Sequence, residues 1–237
     1  MNRIIRIFSL ILAMVLLLAL CACTSKKVST EQNVYITVNG EQLSKEYIGY
    51  FFSLAQESML SEAGYTPENS DQKDIDIYWE TTELEGKDAV EVARDIAVNN
   101  AVMQKVSYQK AKEEGIILSD DEIAYINADL KSVADANGGD DAFGKLLSAR
   151  GTDVIAYKQI LTENMYMEKL FDKYDSEGVF VFTDDEIAQF SEANAEKYTA
   201  DSMLYEMKKQ KFNEISLSWE KEADIVINDE KINEFDV

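Results

Sequence analysis

Val34-Tyr35-Ile36-Thr37-Val38-Asn39-Gly40-Glu41-Gln42-Leu43 lies near one end of the chain, and Asp224-Ile225-Val226-Ile227 lies near the other. The first stretch is β-branched and aromatic up to Asn39-Gly40. That dipeptide readily takes the positive φ angles of a two-residue hairpin turn. Glu41 to Leu43 then form a short return strand. The second stretch has the same β-forming character. Nearly everything between them carries helical periodicity, so the economical arrangement pairs Ile225–Ile227 with Val34–Val38 and closes the fold through its two ends. The expected fold is mainly α: a multi-helix domain over 34–237 with a small hairpin completed by a C-terminal strand.

Working inward, Ser44 is placed to cap a helix through Tyr47, Tyr50, Phe51, Leu54 and Met59. Residues 61–88 read as the least regular stretch, with Gly64, Pro67 and Gly86 in it and Ile75-Asp76-Ile77-Tyr78-Trp79 inside. A loop that long in a folded domain is usually functional or unstructured. Asp88 to Glu114 is a long helix with Ala89, Val92, Ala93, Ile96, Met103 and Val106 at helical spacing, stopped by Gly115. Ser119-Asp120-Asp121-Glu122 and Thr183-Asp184-Asp185-Glu186 are capping boxes, in which hydroxyl and carboxylate satisfy free amides of the first turn. The first opens a helix with Ile123, Ile126, Leu130 and Val133, ended at Asn137-Gly138-Gly139. A short helix holds Phe143, Leu146 and Leu147. Thr152 is expected to cap the next, through Val154, Tyr157, Leu161, Met165, Leu170 and Tyr174. The second box opens a helix with Ile187, Phe190 and Tyr198, and the last helix runs from about Ser202 to Ala223.

At the N-terminus, Arg3 and Arg6 precede an apolar run from Ile7 to Leu20. This is the pattern of a secretory signal, and the run is short for a bilayer span. Its ending, Leu20-Cys21-Ala22-Cys23, resembles the lipobox of bacterial lipoproteins, with cleavage before Cys23. Cutting before Cys21 would set bulky Leu20 beside the scissile bond. The expectation is a signal peptide over 1–22, an acylated Cys23 and a polar tether over 24–33. More than one acyl chain anchors stably where one holds marginally. An acylated Cys23 leaves no internal disulfide.

Composition narrows the chemistry. The 237 residues carry a formal charge of −22. Residues 1–22 hold two Arg and no acid, so the remainder carries 21 basic against 45 acidic side chains, a charge of −24. Such a surface argues against nucleic acid, whose phosphates demand Lys and Arg. It also leaves the lipid, not electrostatics, to hold the membrane. There is no His, which removes Ser-His-Asp catalysis, imidazole acid–base chemistry and His-bearing metal sites. Neighbouring carboxylates follow by chance from 45 acids. No phosphate-binding Gly loop or EF-hand motif is present. The reading is a non-enzyme with no cofactor and no metal.

The order of elements resembles that of the SurA/PrsA-type extracytoplasmic chaperones. The resemblance rests on Val38-Asn39-Gly40-Glu41 with Ser44, and on Ala111-Lys112-Glu113-Glu114-Gly115-Ile116 with Leu118-Ser119-Asp120-Asp121-Glu122. Phe143 to Leu147, the helix through Tyr157 and Leu161, and Lys169-Leu170 fit the same pattern. The ending fits as well: Lys211-Phe212-Asn213-Glu214, Trp219, Lys221-Glu222-Ala223-Asp224-Ile225 and Ile227-Asn228. PrsA-like proteins usually carry a parvulin isomerase domain between the helix holding Tyr198 and the last helix. Here Tyr198-Thr199-Ala200-Asp201-Ser202 leads straight into Met203, and no His exists for parvulin-type catalysis.

The resemblance implies a chaperone module without the isomerase. It would be lipid-anchored on the outer face of a Gram-positive cytoplasmic membrane and would bind apolar segments of newly exported, unfolded proteins without ATP. Such binding calls for accessible aromatic and Met side chains. The candidates are Tyr50, Phe51, Trp79, Tyr108, Tyr157 and Met165, of which a minority should touch clients and the rest should be core. Two other readings stay open. One is a scaffold lipoprotein for one dedicated partner, and the other is a peptidyl-prolyl isomerase with an unrecognised site.

Overall fold

Strand β1 (Ile36–Val38) is the middle of a three-stranded antiparallel sheet, flanked by β2 (Glu41–Leu43) and β5 (Ile225–Ile227). A computed structural model describes residues 34–66, 70–194 and 198–237; the signal segment 1–22, Cys23, the tether 24–33 and Pro67 lie outside them. Ile36 pairs with Leu43 on one side and Ile227 on the other, and Val38 with Glu41 and Ile225. Ile36 and Val38 are wholly buried. The hairpin turns at Asn39 (φ 50°) and Gly40 (φ 84°), the left-handed pair that matches strand twist. Asn39 also ties the turn to both neighbours. Its backbone N–H donates to Asp224 O and its Oδ1 accepts from Asp224 N, each at 2.8 Å. Its Nδ2 donates to Gln109 Oε1 at 2.9 Å, and Gln109 donates in turn to Val38 O. The mainly α class and the terminal closure both match the sequence reading.

The helices are α1 (Lys45–Glu62), α2 (Gln72–Thr81), α3 (Ala89–Glu113), α4 (Asp120–Ala136), α5 (Asp140–Ala149), α6 (Val154–Ser176), α7 (Asp184–Asn194), α8 (Ala200–Glu222) and α9 (Asp229–Ile232). A two-stranded hairpin, β3 (Glu83–Leu84) and β4 (Lys87–Asp88), sits between α2 and α3. The axis of the arrangement is α3, packed against α1, α6 and α8. It buries residues around most of its circumference, as a helix surrounded by others must. Three apolar clusters form around it. The first joins the sheet, α1, α2, the N-terminal part of α3 and the start of α6. The second joins the end of α3 (Ala111) to Leu170 and Phe171 of α6, Phe180 of the α6–α7 link and Phe212 of α8. The third holds Ala134, Phe143 and Leu147 against Tyr157.

Both capping boxes form as read. Ser119 and Glu122 exchange hydrogen bonds across the first turn of α4, and Thr183 and Glu186 do so at α7. Glu122 is also held from α6, where Lys169 donates to both of its carboxylate oxygens (2.8 and 2.9 Å) and to Ile117 O. That ammonium, with the Ser119 amide and hydroxyl, keeps the Glu122 carboxyl down at about 2.

Three readings are corrected. Residues 61–88 are not one irregular loop. Asp71 caps α2 through Asp74 N, and Ile75, Tyr78 and Trp79 are the i, i+3, i+4 face it lays on the core. Glu85 and Gly86, both at positive φ, make the β3–β4 turn. Asp153, not Thr152, caps α6 by accepting from Ala156 N at 2.7 Å; Thr152 is buried with its hydroxyl unpartnered. Tyr198 is not itself helical; its N–H donates to Asn194 O at 3.1 Å and its ring stacks on Phe190. Beyond β5 the chain folds back, a feature the sequence reading did not address. Ile232 of α9 and Phe235 enter the first cluster, and Arg94 Nε donates to Phe235 O at 2.7 Å.

Helix α1 crosses the α5–α6 connection at Gly49 and Gly151. A Cβ on Gly49 would lie 2.0 Å from Gly151 O, a contact no side chain can make without moving backbone. In α5, a Cβ on Gly144 would meet open space. Gly49→Ala should therefore cost about 2–3 kcal/mol of stability through overpacking. Gly144→Ala should gain about 0.5–1 kcal/mol through helix propensity. Urea unfolding of the two variants checks both signs.

Candidate functional site

Gln104 and Lys105 interrupt the apolar run of α3 between Ala101 and Val106, and both are buried. A lysine on a buried helix face must find a partner, because an unpaired charge out of water is costly. It finds Glu163 of α6, in direct ion-pair contact, and both residues are 2% exposed. The carboxylate is fully engaged. Tyr47 Oη of α1 donates to Glu163 Oε2 at 2.6 Å, and Gln159 Nε2 donates to Oε1 at 3.0 Å. Burial, then the adjacent Glu163 charge, hold the Tyr47 phenol well above its usual range, which keeps it a donor. Glu41 of β2 brings a second carboxylate within 3.6 Å of the ammonium. The ammonium also lies over two rings, 5.3 Å from the centroid of Tyr47 and 5.0 Å from that of Tyr108.

This node is the floor of a groove of about 450 Å³ between α3, α6 and β2. Tyr108 lines one wall, its ring edge-on to Tyr166 at 5.1 Å. The lip is apolar and open to solvent, with Ile155 78% exposed and Val154 37% exposed on the first turn of α6, where Lys158 and Thr162 complete the wall. On the far side of Glu41, a second and more polar cleft of about 480 Å³ lies between the hairpin turn, α3 and α8, with Trp219 in its wall.

Of the candidates from sequence, Tyr108 alone lines the groove. Tyr50 and Tyr157 are half-buried and face each other at 5.8 Å, bridging the first and third clusters. Phe51 and Trp79 are buried core residues, packed on Tyr47 and Tyr78 respectively, and present no free surface. Met165 is half-buried on α6. Cys23 lies outside the described residues. Sequence reasoning missed Tyr47, Lys105, Glu163, Glu41 and Ile155. Two signals were available: a lysine on an apolar helix face, and paired β-branched residues at 154–155, off the face set by Ala156 and Ile160. Among the described residues, no helix is long and apolar enough to cross a membrane.

Fold and groove together define a mainly helical protein, closed through a hairpin and a C-terminal strand, with an apolar-lipped cleft over a buried ion pair. No protein-family model matches the chain. It is similar to the foldase protein PrsA of Caldanaerobacter subterraneus subsp. tengcongensis, at 29% identity over 119 residues. That stretch takes in half of this chain and 36% of that protein. The similarity supports a distant PrsA/SurA-like relationship.

The ion pair can be tested by charge balance. Glu163→Gln leaves the buried Lys105 ammonium only the exposed Glu41 carboxylate at 3.6 Å and should cost about 3 kcal/mol. Adding Lys105→Met removes that charge while Gln can still accept from Tyr47, so the double variant should regain most of that loss. Urea unfolding of single and double variants decides; a double variant no better than the single would contradict it.

Proposed function

We propose that this protein is an extracytoplasmic chaperone, tethered through an acylated Cys23, that binds apolar segments of exported, unfolded proteins without ATP. The observation that carries this reading is the exposed Ile155–Val154 lip over the Tyr108 and Lys105 floor. Covering a side chain the size of Ile155 yields about 1.5–3 kcal/mol, so a client held by a few such contacts exchanges without an energy source. Half-buried Tyr108 adds an amphipathic face that tolerates varied sequences. The similarity to a PrsA foldase supports the same role. The Leu20-Cys21-Ala22-Cys23 lipobox pattern supports the anchor. We read the protein as having no prolyl isomerase activity, because parvulin-type chemistry has no His to work with.

The test uses the full-length chain reconstituted in phosphatidylcholine vesicles, added from substoichiometric amounts to several-fold excess over three unrelated unfolded proteins. Light scattering should show aggregation suppressed for all three. Ile155→Asp should weaken suppression at least about threefold, because it sets a charge where apolar surface must be covered, while leaving the urea midpoint unchanged. Suppression of one protein only would favour the dedicated-partner reading. No suppression, or unchanged suppression by the variant, would contradict the groove as the binding surface. Accelerated proline-limited refolding would contradict the non-enzymatic part.

A further inference from the structure

Glu177-Gly178-Val179-Phe180-Val181-Phe182-Thr183-Asp184-Asp185 joins α6 to α7. Residues 179–183 are neither helix nor paired strand, yet they alternate with a period of two, as a strand does. Phe180 is buried and Phe182 half-buried, both in the second cluster, and the Phe180 ring sits 5.1 Å from that of Phe171. Val179 is 40% and Val181 73% exposed. The inner side is therefore fixed by aromatic packing while the outer side is bare.

The backbone is bare as well. Val179 N–H closes the end of α6 on Tyr174 O, and Thr183 belongs to the α7 cap. Between them, the N–H groups of Phe180, Val181 and Phe182 and the C=O groups of residues 179–182 have no hydrogen-bond partner among the described residues. No element covers the outer side of the strip among the described residues, as the exposure of Val179 and Val181 shows. The corresponding link between α3 and α4, Gly115 to Leu118, differs. Its Ile117 carbonyl is taken by Lys169, and the acids at its ends, Glu114 and Glu122, are paired with Lys173 and Lys169.

An apolar, β-forming stretch with free backbone groups and no Lys or Pro is the kind of edge that native proteins normally block. We infer that Val179–Phe182 is a preformed strand edge that captures an extended segment of an unfolded chain by β-addition, at a site separate from the groove. Main-chain bonding would supply affinity without demanding a sequence. Charge selects the partner. Glu177, Asp184 and Asp185 flank the edge and make no ion pair among the described residues. A second copy of this chain would bring the same acids against them, so self-pairing is disfavoured and the fitting partner is a short apolar run flanked by Lys or Arg. This inference rests on the chaperone reading for its occupant, but not on the groove.

The probe is a fluorescent peptide of alternating Val and Tyr with two Lys at each end, titrated onto the full-length chain in phosphatidylcholine vesicles and read by anisotropy. Val181→Pro removes one free N–H at an exposed, unpaired position and should weaken binding about tenfold or more. The parent protein should show the same loss with a peptide N-methylated at alternate residues, a control that leaves the fold untouched. Replacing the flanking Lys by Glu should weaken binding similarly, and the loss caused by Val181→Pro should be the same size in an Ile155→Asp background, as for two independent sites. Equal binding of the N-methylated peptide, or by Val181→Pro, would overturn β-addition. Equal binding of the Glu-flanked peptide would overturn the charge selection. Sedimentation showing a dimer that Val181→Pro abolishes would overturn the choice of partner. A Val181→Pro loss that disappears in the Ile155→Asp background would return the site to the groove. Aggregation suppression surviving in Val181→Pro while the peptide fails to bind the parent would sink this site and spare the chaperone reading.

Discussion

Lys105 and Glu163 meet where elements remote in sequence converge, and each of those elements contributes a group that completes the pair. Tyr47 comes from α1, Gln159 from the turn before Glu163 on α6, and Glu41 from the hairpin. Burying two charges gives little net stability, since desolvation cancels much of their attraction. What the pair supplies is orientation. The rotation of α3 against α6 in which the ammonium, the carboxylate, the phenol and the amide satisfy one another also turns Tyr108 toward the groove and leaves Ile155 at its lip.

A second constraint acts from the ends of the chain. Asn39 binds Asp224 through backbone and side chain and reaches Gln109 of α3. The hairpin is thereby fixed to α3, and Glu41, which follows the turn, stands between the groove and the neighbouring cleft. Residues that look like a local turn thus set the position of a charged side chain at the candidate site. The tail beyond β5 adds to this, because Phe235 packs on Tyr35 and Phe52.

The parts of the fold legible in sequence are those governed by local chemistry. Asn39-Gly40 demands its turn, and both capping boxes form as written. Gly64, Pro67 and Gly86 mask helix α2 in the sequence, although Asp71 and the spacing of Ile75, Tyr78 and Trp79 encode it. At α6, two adjacent capping candidates compete, and burial of Thr152 leaves the role to Asp153. The groove was the least legible feature. Aromatic residues drew attention, yet Phe51 and Trp79 serve the core, and the deciding residues were a lysine and a glutamate whose pairing is a tertiary fact.

A tethered chaperone with an apolar lip and an acidic surface would hold clients weakly and repel copies of itself. The most direct measurement places a photoreactive side chain at position 155 of the full-length chain in membranes, with the same probe at Ile117, which is as exposed (76% against 78%) but does not line the groove, as reference. Irradiation in the presence of several unfolded exported proteins should give adducts at 155 with each of them, few at 117, and none with the same proteins once folded. Adducts with a single partner, or equal adducts at both positions, would contradict the groove as a general client-binding surface.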